Sequence, residues 1–353
     1  MLLKDIFNAK SVALSWNDYA ATSNAAAKYL GTGLFPSKKK AGLDLKFLKG
    51  ASGLPVALMP SAFDSEARLR DRIGVSEMIT EMPFFREGFL VKEADRQELL
   101  RVQDATDPYA QAVIDRIYDD ANNLIEGALV VPEIMRMQLL VDGTIGINYN
   151  GANYEYNYGG VAQASSTAKW SDATNADPIA DLQAAQEQIY EATGVKPDVA
   201  IMTTATLKLM RDNKKVQAYV LAGKSASAAA KVFMTTALVK QYVAEELGIT
   251  IVEYNLKYKD NAGTTKQFYP DNYVTLVPSN MSLGNTWFGT TPEEADFVAG
   301  QGDSMALVET GIAVATIHKN HPVQEETIAS EIVLPSFENA DKVITINVDP
   351  AGE

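Results

Sequence analysis

The spacing of apolar and polar positions changes several times along this chain, and each change marks an element. Leu2, Leu3, Ile6 and Phe7 fit one turn of an amphipathic helix, and residues 17–30 fit a second, alanine-rich one. Gly31-Thr-Gly-Leu-Phe-Pro36 is a breaking signal, so residues 1–42 read as an arm with little to bury by itself. Residues 43–91 are rich in strand formers: Leu45, Phe47, Leu54, Val56 and Leu58 come before a charged centre, and Ile73, Val75, Ile79, Phe84, Phe89 and Val91 after it. Within that centre Arg68, Arg70 and Arg72 alternate, which would put all three on one strand face. The pattern predicts a long two-stranded excursion with a charged tip. An isolated hairpin is marginal in water, so its apolar face needs something outside itself.

Asp107-Pro108 is a helix start, a capping acid followed by proline at the first helical position. Val113, Ile117, Ala121, Leu124, Ala128 and Val131 then form one apolar stripe, with Asp115, Arg116, Asp119 and Asp120 opposite it. Pro132 predicts a kink or an end, with 134–141 able to resume. A helix this long with one polar face reads as a spine. Asn150-Gly151, between 144–147 and 154–158, predicts a tight hairpin with Tyr154, Tyr156 and Tyr158 on one face.

From about residue 160 the texture becomes α/β. Helices are expected over 178–193, 204–220 and 235–247, with Asp177 starting the first and Gly194 and Gly248 ending the first and third. Strands are expected over 198–203, 249–258 and 267–277, the last two joined by the turn Asp260-Asn-Ala-Gly263. A loop over 284–303 precedes closing strands at 310–318, 327–334 and 343–348. No repeat of 20–50 residues appears, which sets aside solenoids and propellers.

Composition narrows the function classes. With 353 residues, 46% hydrophobic and 22% charged, the chain has ample material for one large domain or two to three smaller ones. No apolar run approaches the ~20 residues of a membrane span, and the first ten residues are too polar for a signal peptide. A cytoplasmic start is therefore expected. The absence of cysteine excludes disulfides and thiolate metal sites.

Charge is unevenly spread. Residues 1–60 hold eight lysines and three aspartates, +5, against −19 for residues 61–353. The acidic body disfavours tight or specific nucleic-acid binding. Lys38, Lys39 and Lys40 either keep a flexible linker in water or meet acidic groups of another copy. The second reading makes Lys38, Lys39, Lys40, Arg68, Arg70 and Arg72 one side of an inter-subunit contact and Asp115, Asp119 and Asp120 the other.

Candidate chemistry is thin. Gly223-Lys-Ser225 lacks both the earlier glycine and the preceding strand of a phosphate loop, and an inter-helix loop over 223–230 fits better. Gly31-Thr-Gly33 likewise reads as a turn. His318 and His321 lack further ligands of the right type and read as solvated loop residues. The pairs Glu245-Glu246, Glu293-Glu294 and Glu325-Glu326 are adjacent in sequence and read as solvated edges. No catalytic residue, cofactor or metal is expected, though carboxylates brought together only by folding would be invisible at this level.

The order of parts is an odd plan for an enzyme: basic arm, long β excursion, spine helix, aromatic hairpin, α/β region, closing strands. That order resembles the Hong Kong 97-like capsid fold. Lys266-Gln-Phe-Tyr-Pro-Asp-Asn-Tyr-Val-Thr-Leu-Val277, Leu283-Gly-Asn-Thr-Trp-Phe-Gly-Thr-Thr-Pro292, and the tail from His321-Pro322 through Glu331-Ile-Val-Leu-Pro335 to Val343-Ile-Thr-Ile-Asn-Val348 resemble the lambda-type phage major capsid protein E family. The resemblance implies an α+β fold with an N-terminal arm (1–42), an extended loop (43–91), a peripheral domain with the spine helix (92–160 and 312–335) and an α/β axial domain (161–311 and 336–353). It also implies a non-catalytic head protein of the virion, assembled in the host cytoplasm as hexamers and pentamers of itself. Such a shell encloses double-stranded DNA without sequence-specific binding and without a membrane. Portal and scaffold proteins are the implied partners, with room for decoration proteins. An encapsulin-like cellular compartment and a soluble α/β enzyme with a fold-assembled carboxylate site are the competing expectations.

Overall fold

The computed structural model describes residues 8–23, 25, 27–49, 76–91, 108–149, 152–159, 161–222, 233–300, 304–321 and 323–350. The predicted turn at residues 2–7, the arginine-bearing tip and the 223–230 loop lie outside the described residues. The chain forms two compact units, one from residues 1–46, 79–136 and 284–336, the other from 47–78, 137–283 and 337–353.

The first unit is a sheet faced by two helices. Helix α1, Ala9–Ser23, starts eight residues earlier than its composition predicts. Asn8 explains the start: its side chain accepts from the amides of Lys10 and Ser11, while the Ser11 hydroxyl accepts from the Asn8 amide, a reciprocal cap. Ala9, Val12 and Trp16 are buried at spacings of three and four, and Trp16 Nε1 donates to Glu309. The glycine-rich run expected to break a helix instead forms a short one, α2, Leu30–Leu34. Tertiary contact overrides propensity there. A Cβ at Gly31 would lie 2.4 Å from Glu133 Oε2, so only glycine allows the approach.

Strands β1, Ser37–Lys39, and β4, Phe84–Val91, join β13, Thr286–Phe288, β14, Ser304–Val308, β15, Ile312–Asn320, and β16, Val323–Pro335. The order is β1-β13-β16-β15-β14, with β4 also pairing β16. Strand β16 is shared: β4 lies along one edge (Phe84 opposite Ile332, Val91 opposite Glu325), while β15 and, past its end, β13 occupy the other. Two expectations change here. Strand β4 belongs to this sheet and not to the excursion; the two-stranded ribbon is β2, Asp44–Lys49, with β3, Ser76–Glu81. The 284–303 stretch read as a loop carries β13 and a capped helix, α8, Pro292–Val298.

Helix α3, Pro108–Asp142, runs straight through Pro132. Proline inside a helix costs ~3 kcal/mol. The residues that follow it repay more than that: Met135, Met137, Leu139 and Leu140 are all essentially buried, at ~1.5–3 kcal/mol each. Earlier in the helix Ile117, Ala121 and Ile125 pack with Val12, Trp16, Val91, Val314 and Ala329 on one sheet face, while Asp115, Asp119 and Asp120 remain exposed.

The second unit holds the hairpin β5, Thr144–Tyr149, and β6, Ala152–Asn157, joined across Asn150-Gly151 as predicted. Its five-stranded sheet runs β7 (Ala162–Ser165), β17 (Ile344–Asn347), β12 (Tyr273–Val277), β8 (Val199–Met202), β9 (Thr250–Glu253). Helix α4, Pro178–Thr193, has its Asp177 cap and Gly194 stop where the sequence places them. The long helix expected over 204–220 is two, α5, Thr204–Asp212, and α6, Lys214–Leu221. Asn213 makes the break: its side-chain oxygen caps Lys215 and Val216, and its amide donates to the buried Ala176 carbonyl. Helix α7, Thr236–Leu247, completes the layer over Ala200, Met202, Val274, Leu276, Ile344 and Ile346. On the opposite sheet face Thr275 and Thr345 sit side by side in a buried hydroxyl chain from Tyr269 to the Leu140 carbonyl. Two short strands, β10, Lys257–Lys259, and β11, Thr265–Gln267, flank the predicted Asp260 turn.

Asn213→Ala removes a double helix cap and leaves the Ala176 carbonyl without its buried donor. Urea unfolding should show a loss of ~1–3 kcal/mol with an unchanged m-value.

Candidate assembly interface

Alternation places Phe84, Arg86, Gly88 and Leu90 of β4 on one face of the first unit's sheet, beside Ile332, Ser330 and Ile328 of β16. Helix α8 packs against β14 and β15. Thr291 caps it, and Glu293 and Glu294 follow in its first turn, where the helix dipole favours acids. Glu293 reaches across to pair with Arg86 and to accept from Ser330 Oγ at 2.8 Å; Glu294 accepts from Lys39 Nζ at 2.6 Å. Arg86 also stacks on Phe84, 4.7 Å from the ring centre. Around this charged strip Phe84, Leu90 and Leu307 on the strands and Phe297 and Val298 on α8 stay exposed, Val298 at 80%. The outer edge of β4 pairs with no described strand. An open edge bordered by apolar side chains is a liability in a lone subunit and a template in an assembly.

The sheet's other face hides a charged cluster. Glu133 and Arg136, one turn apart on α3, are 0% and 4% exposed at their side chains, and Arg136 Nη1 donates to Glu133 Oε2 at 3.2 Å. The rest of the site is shaped to this pair: Gly31 N donates to Glu133 Oε1, and the guanidinium donates to Thr286 at 2.9 Å and Thr32 at 3.3 Å. Glu331 of β16 is 1% exposed, and neither carboxyl oxygen has a hydrogen-bond partner. Burial drives its pKa well above the ordinary carboxylate range, and Arg136 pulls only partly the other way.

The predicted contact residues divide. Lys38 lies over the Trp287 ring, Lys39 pairs with Glu294, and Lys40 Nζ donates to the Asp44 carbonyl at 2.9 Å. Far from being a flexible linker, Ser37–Lys39 is a strand parallel to β13. Asp115, Asp119 and Asp120 are exposed on α3. Arg68, Arg70 and Arg72 lie outside the described residues, so the structure does not bring the two sides together. His318 is a strand residue whose Nδ1 lies 2.7 Å from Glu325 Oε1. Glu325 is therefore a buried partner and not a solvated edge, and Glu293 and Glu294 are half-buried partners of Arg86 and Lys39. No group of three or more histidines, aspartates or glutamates that could hold a metal occurs among the described residues.

Sequence reasoning missed Arg86, Glu133, Arg136 and Glu331. A signal existed for the last three: each is an isolated charge inside an otherwise apolar stretch, 129–141 or 327–335.

A profile of the phage major capsid protein E family matches residues 18–348, nearly the whole chain. The chain belongs to that family. A search of curated proteins returned no match. Among solved structures, the putative capsid protein of a prophage from E. coli CFT073 is 16% identical with a TM-score of 0.59, covering 97% of this chain and 99% of its own. A phage-related protein from Bordetella bronchiseptica RB50 is 15% identical with a TM-score of 0.55, over 94% and 98%. The cyanophage A-1(L) capsid asymmetric unit is 11% identical with a TM-score of 0.53, over 92% and 93%. These likenesses establish the Hong Kong 97-like α+β fold. The subunit is thus a structural, non-enzymatic capsid protein, and the enzyme and cellular-compartment expectations are set aside. Its polar machinery is to be read as architecture: Glu293 and Glu294 brace the sheet from outside and the Glu133–Arg136 pair from within.

Arg136→Met leaves Glu133 buried without its counter-charge, and removing one partner of a buried pair costs ~3–5 kcal/mol. Denaturant unfolding should register that loss, whereas Arg211→Met, which breaks an exposed pair with Asp212, should leave the unfolding midpoint nearly unchanged.

Proposed function

We propose that this capsid subunit builds the icosahedral head of a tailed phage from copies of itself, arranged as hexamers and pentamers around double-stranded DNA. The observation that carries the reading is the family match over residues 18–348. The cyanophage structure is itself a capsid asymmetric unit, which fits self-association. Portal and scaffold proteins are proposed as the other partners, and the host cytoplasm as the place of assembly.

Within that shell the first unit serves as the peripheral region and the second as the axial region. The β2–β3 ribbon, with the residues between its strands, is the extended loop, and it packs on a neighbouring subunit. Residues before β1 act as the arm. Arg68, Arg70 and Arg72 meet acidic groups of the neighbour, with Asp115, Asp119 and Asp120 on the exposed face of α3 as the candidate receivers. Each exposed pair contributes only ~0–1 kcal/mol, so these contacts set register and orientation more than affinity.

Two measurements test this. Expressed protein should form closed shells in negative stain; a compact monomer at high concentration would overturn the reading. Changing Arg68, Arg70 and Arg72 together to Glu should abolish shells while leaving the subunit folded, with partial rescue by Lys at Asp119. Hydrogen exchange adds a sharper contrast. Residues 44–81 should exchange freely in dissociated subunits and become protected in shells, whereas 84–91, paired along β16, should be protected in both.

A further inference from the structure

Glu133, Arg136 and Glu331 place two carboxyl groups and one guanidinium in the closed interior of the first unit. Both carboxylates cannot be ionised there without leaving one buried negative charge uncompensated. The geometry says which gives way. Glu133 holds an amide from Gly31 and the guanidinium, while both oxygens of Glu331 have no partner. Among the described residues, no other charge reaches Glu331. Across the β4 ladder it faces Phe85, with the exposed Glu87 two positions along on the same face. From α2 and β13 the nearest polar groups around Arg136 are Thr32 and Thr286, both uncharged. On β15 the titratable residues His318 and Lys319 stand opposite Glu325 and Gln324, six and seven positions away along β16. The acids of α8 are on the opposite sheet face with Ser330, committed to Arg86 and Lys39. Burial accordingly holds the Glu331 carboxyl above its ordinary range, offset only partly by Arg136.

We propose that Glu133, Arg136 and Glu331 form a proton-gated latch, in which the first unit keeps this packing while Glu331 carries a proton and β16 loosens from α3 when that proton is lost. In a carboxyl whose folded state retains a proton that the unfolded chain has released, stability falls as pH rises. The penalty starts at the ordinary carboxylate pKa and grows until the folded group itself ionises. Between those limits each pH unit lowers the folding equilibrium about tenfold. The device is a property of the folded subunit and does not depend on the shell reading.

The test compares the full-length protein with Glu331→Gln, which keeps the shape and cannot ionise. Thermal and denaturant unfolding across pH should coincide near the ordinary carboxylate range and diverge above it, the wild type losing about tenfold per pH unit relative to the variant. Amides of 329–335 should exchange faster with rising pH in the wild type than the intrinsic rate predicts, and not in the variant. Parallel stability curves, or equal exchange, would overturn the latch. Should Glu331→Gln fail to fold, infrared titration of the wild type decides. A protonated carboxylic-acid C=O band persisting at neutral pH supports the proposal, and its absence overturns it.

Discussion

Backbone hydrogen bonding along β16 is the constraint on which the first unit depends. A buried strand of thirteen residues needs partners on both edges, because each unpaired amide or carbonyl in the interior costs about as much as a lost hydrogen bond. One edge is met locally, by β15 through a short turn. The other is met by β4, far away in sequence, and β13, equally distant, continues the β15 edge past its end. Strand β13 in turn recruits β1 from near the N-terminus. So the arm, the strand after the extended ribbon and the stretch before α8 are tied together by one strand's need for partners. Lys39 and Arg86 then find Glu294 and Glu293 because that pairing has already brought their strands beneath α8.

Helix α3 supplies the second layer, and its two halves solve different problems. Ahead of Pro132 it is a surface helix with one apolar stripe, which is why Asp115, Asp119 and Asp120 remain in water. Beyond Pro132 nearly every side is buried, so a charged pair there must be satisfied internally. Glu133 and Arg136 achieve that with two threonines and the amide of a glycine that no larger residue could replace without a clash. Helix formation over Gly31 and Gly33, which propensity opposes, follows from that contact.

Elements with strong local signals were legible in the sequence. Asp177, Gly194 and Gly248 marked helix ends correctly, Asn150-Gly151 marked a hairpin, and the stripe from Ile117 to Ala128 marked the spine. The misses share a cause, since each depends on a partner distant in sequence. Strand β4 looked like part of the excursion because its apolar residues cannot reveal that β16 is their partner. The break at Asn213 was hidden because its capping oxygen and its bond to Ala176 both belong to tertiary structure. The acid pairs looked solvated because adjacency in sequence says nothing of Arg86, Lys39 or His318. Assembly residues were the least legible of all. A shell contact is completed by another chain, and a single sequence carries only one side of it.

The charge asymmetry acquires a narrower meaning once the pairs are placed. Part of the N-terminal excess is spent inside the subunit: Lys28 pairs with Glu126, Lys39 with Glu294, and Lys38 and Lys40 engage Trp287 and a backbone carbonyl. Those contacts fix β1 against β13 and make the start of the chain part of the first unit's sheet. Asp115, Asp119 and Asp120, by contrast, lie exposed on a rigid helix. Complementary charge from a neighbour would then come from segments outside the sheet. Held on a rigid helix, such an acidic face loses little conformational entropy in any contact it makes.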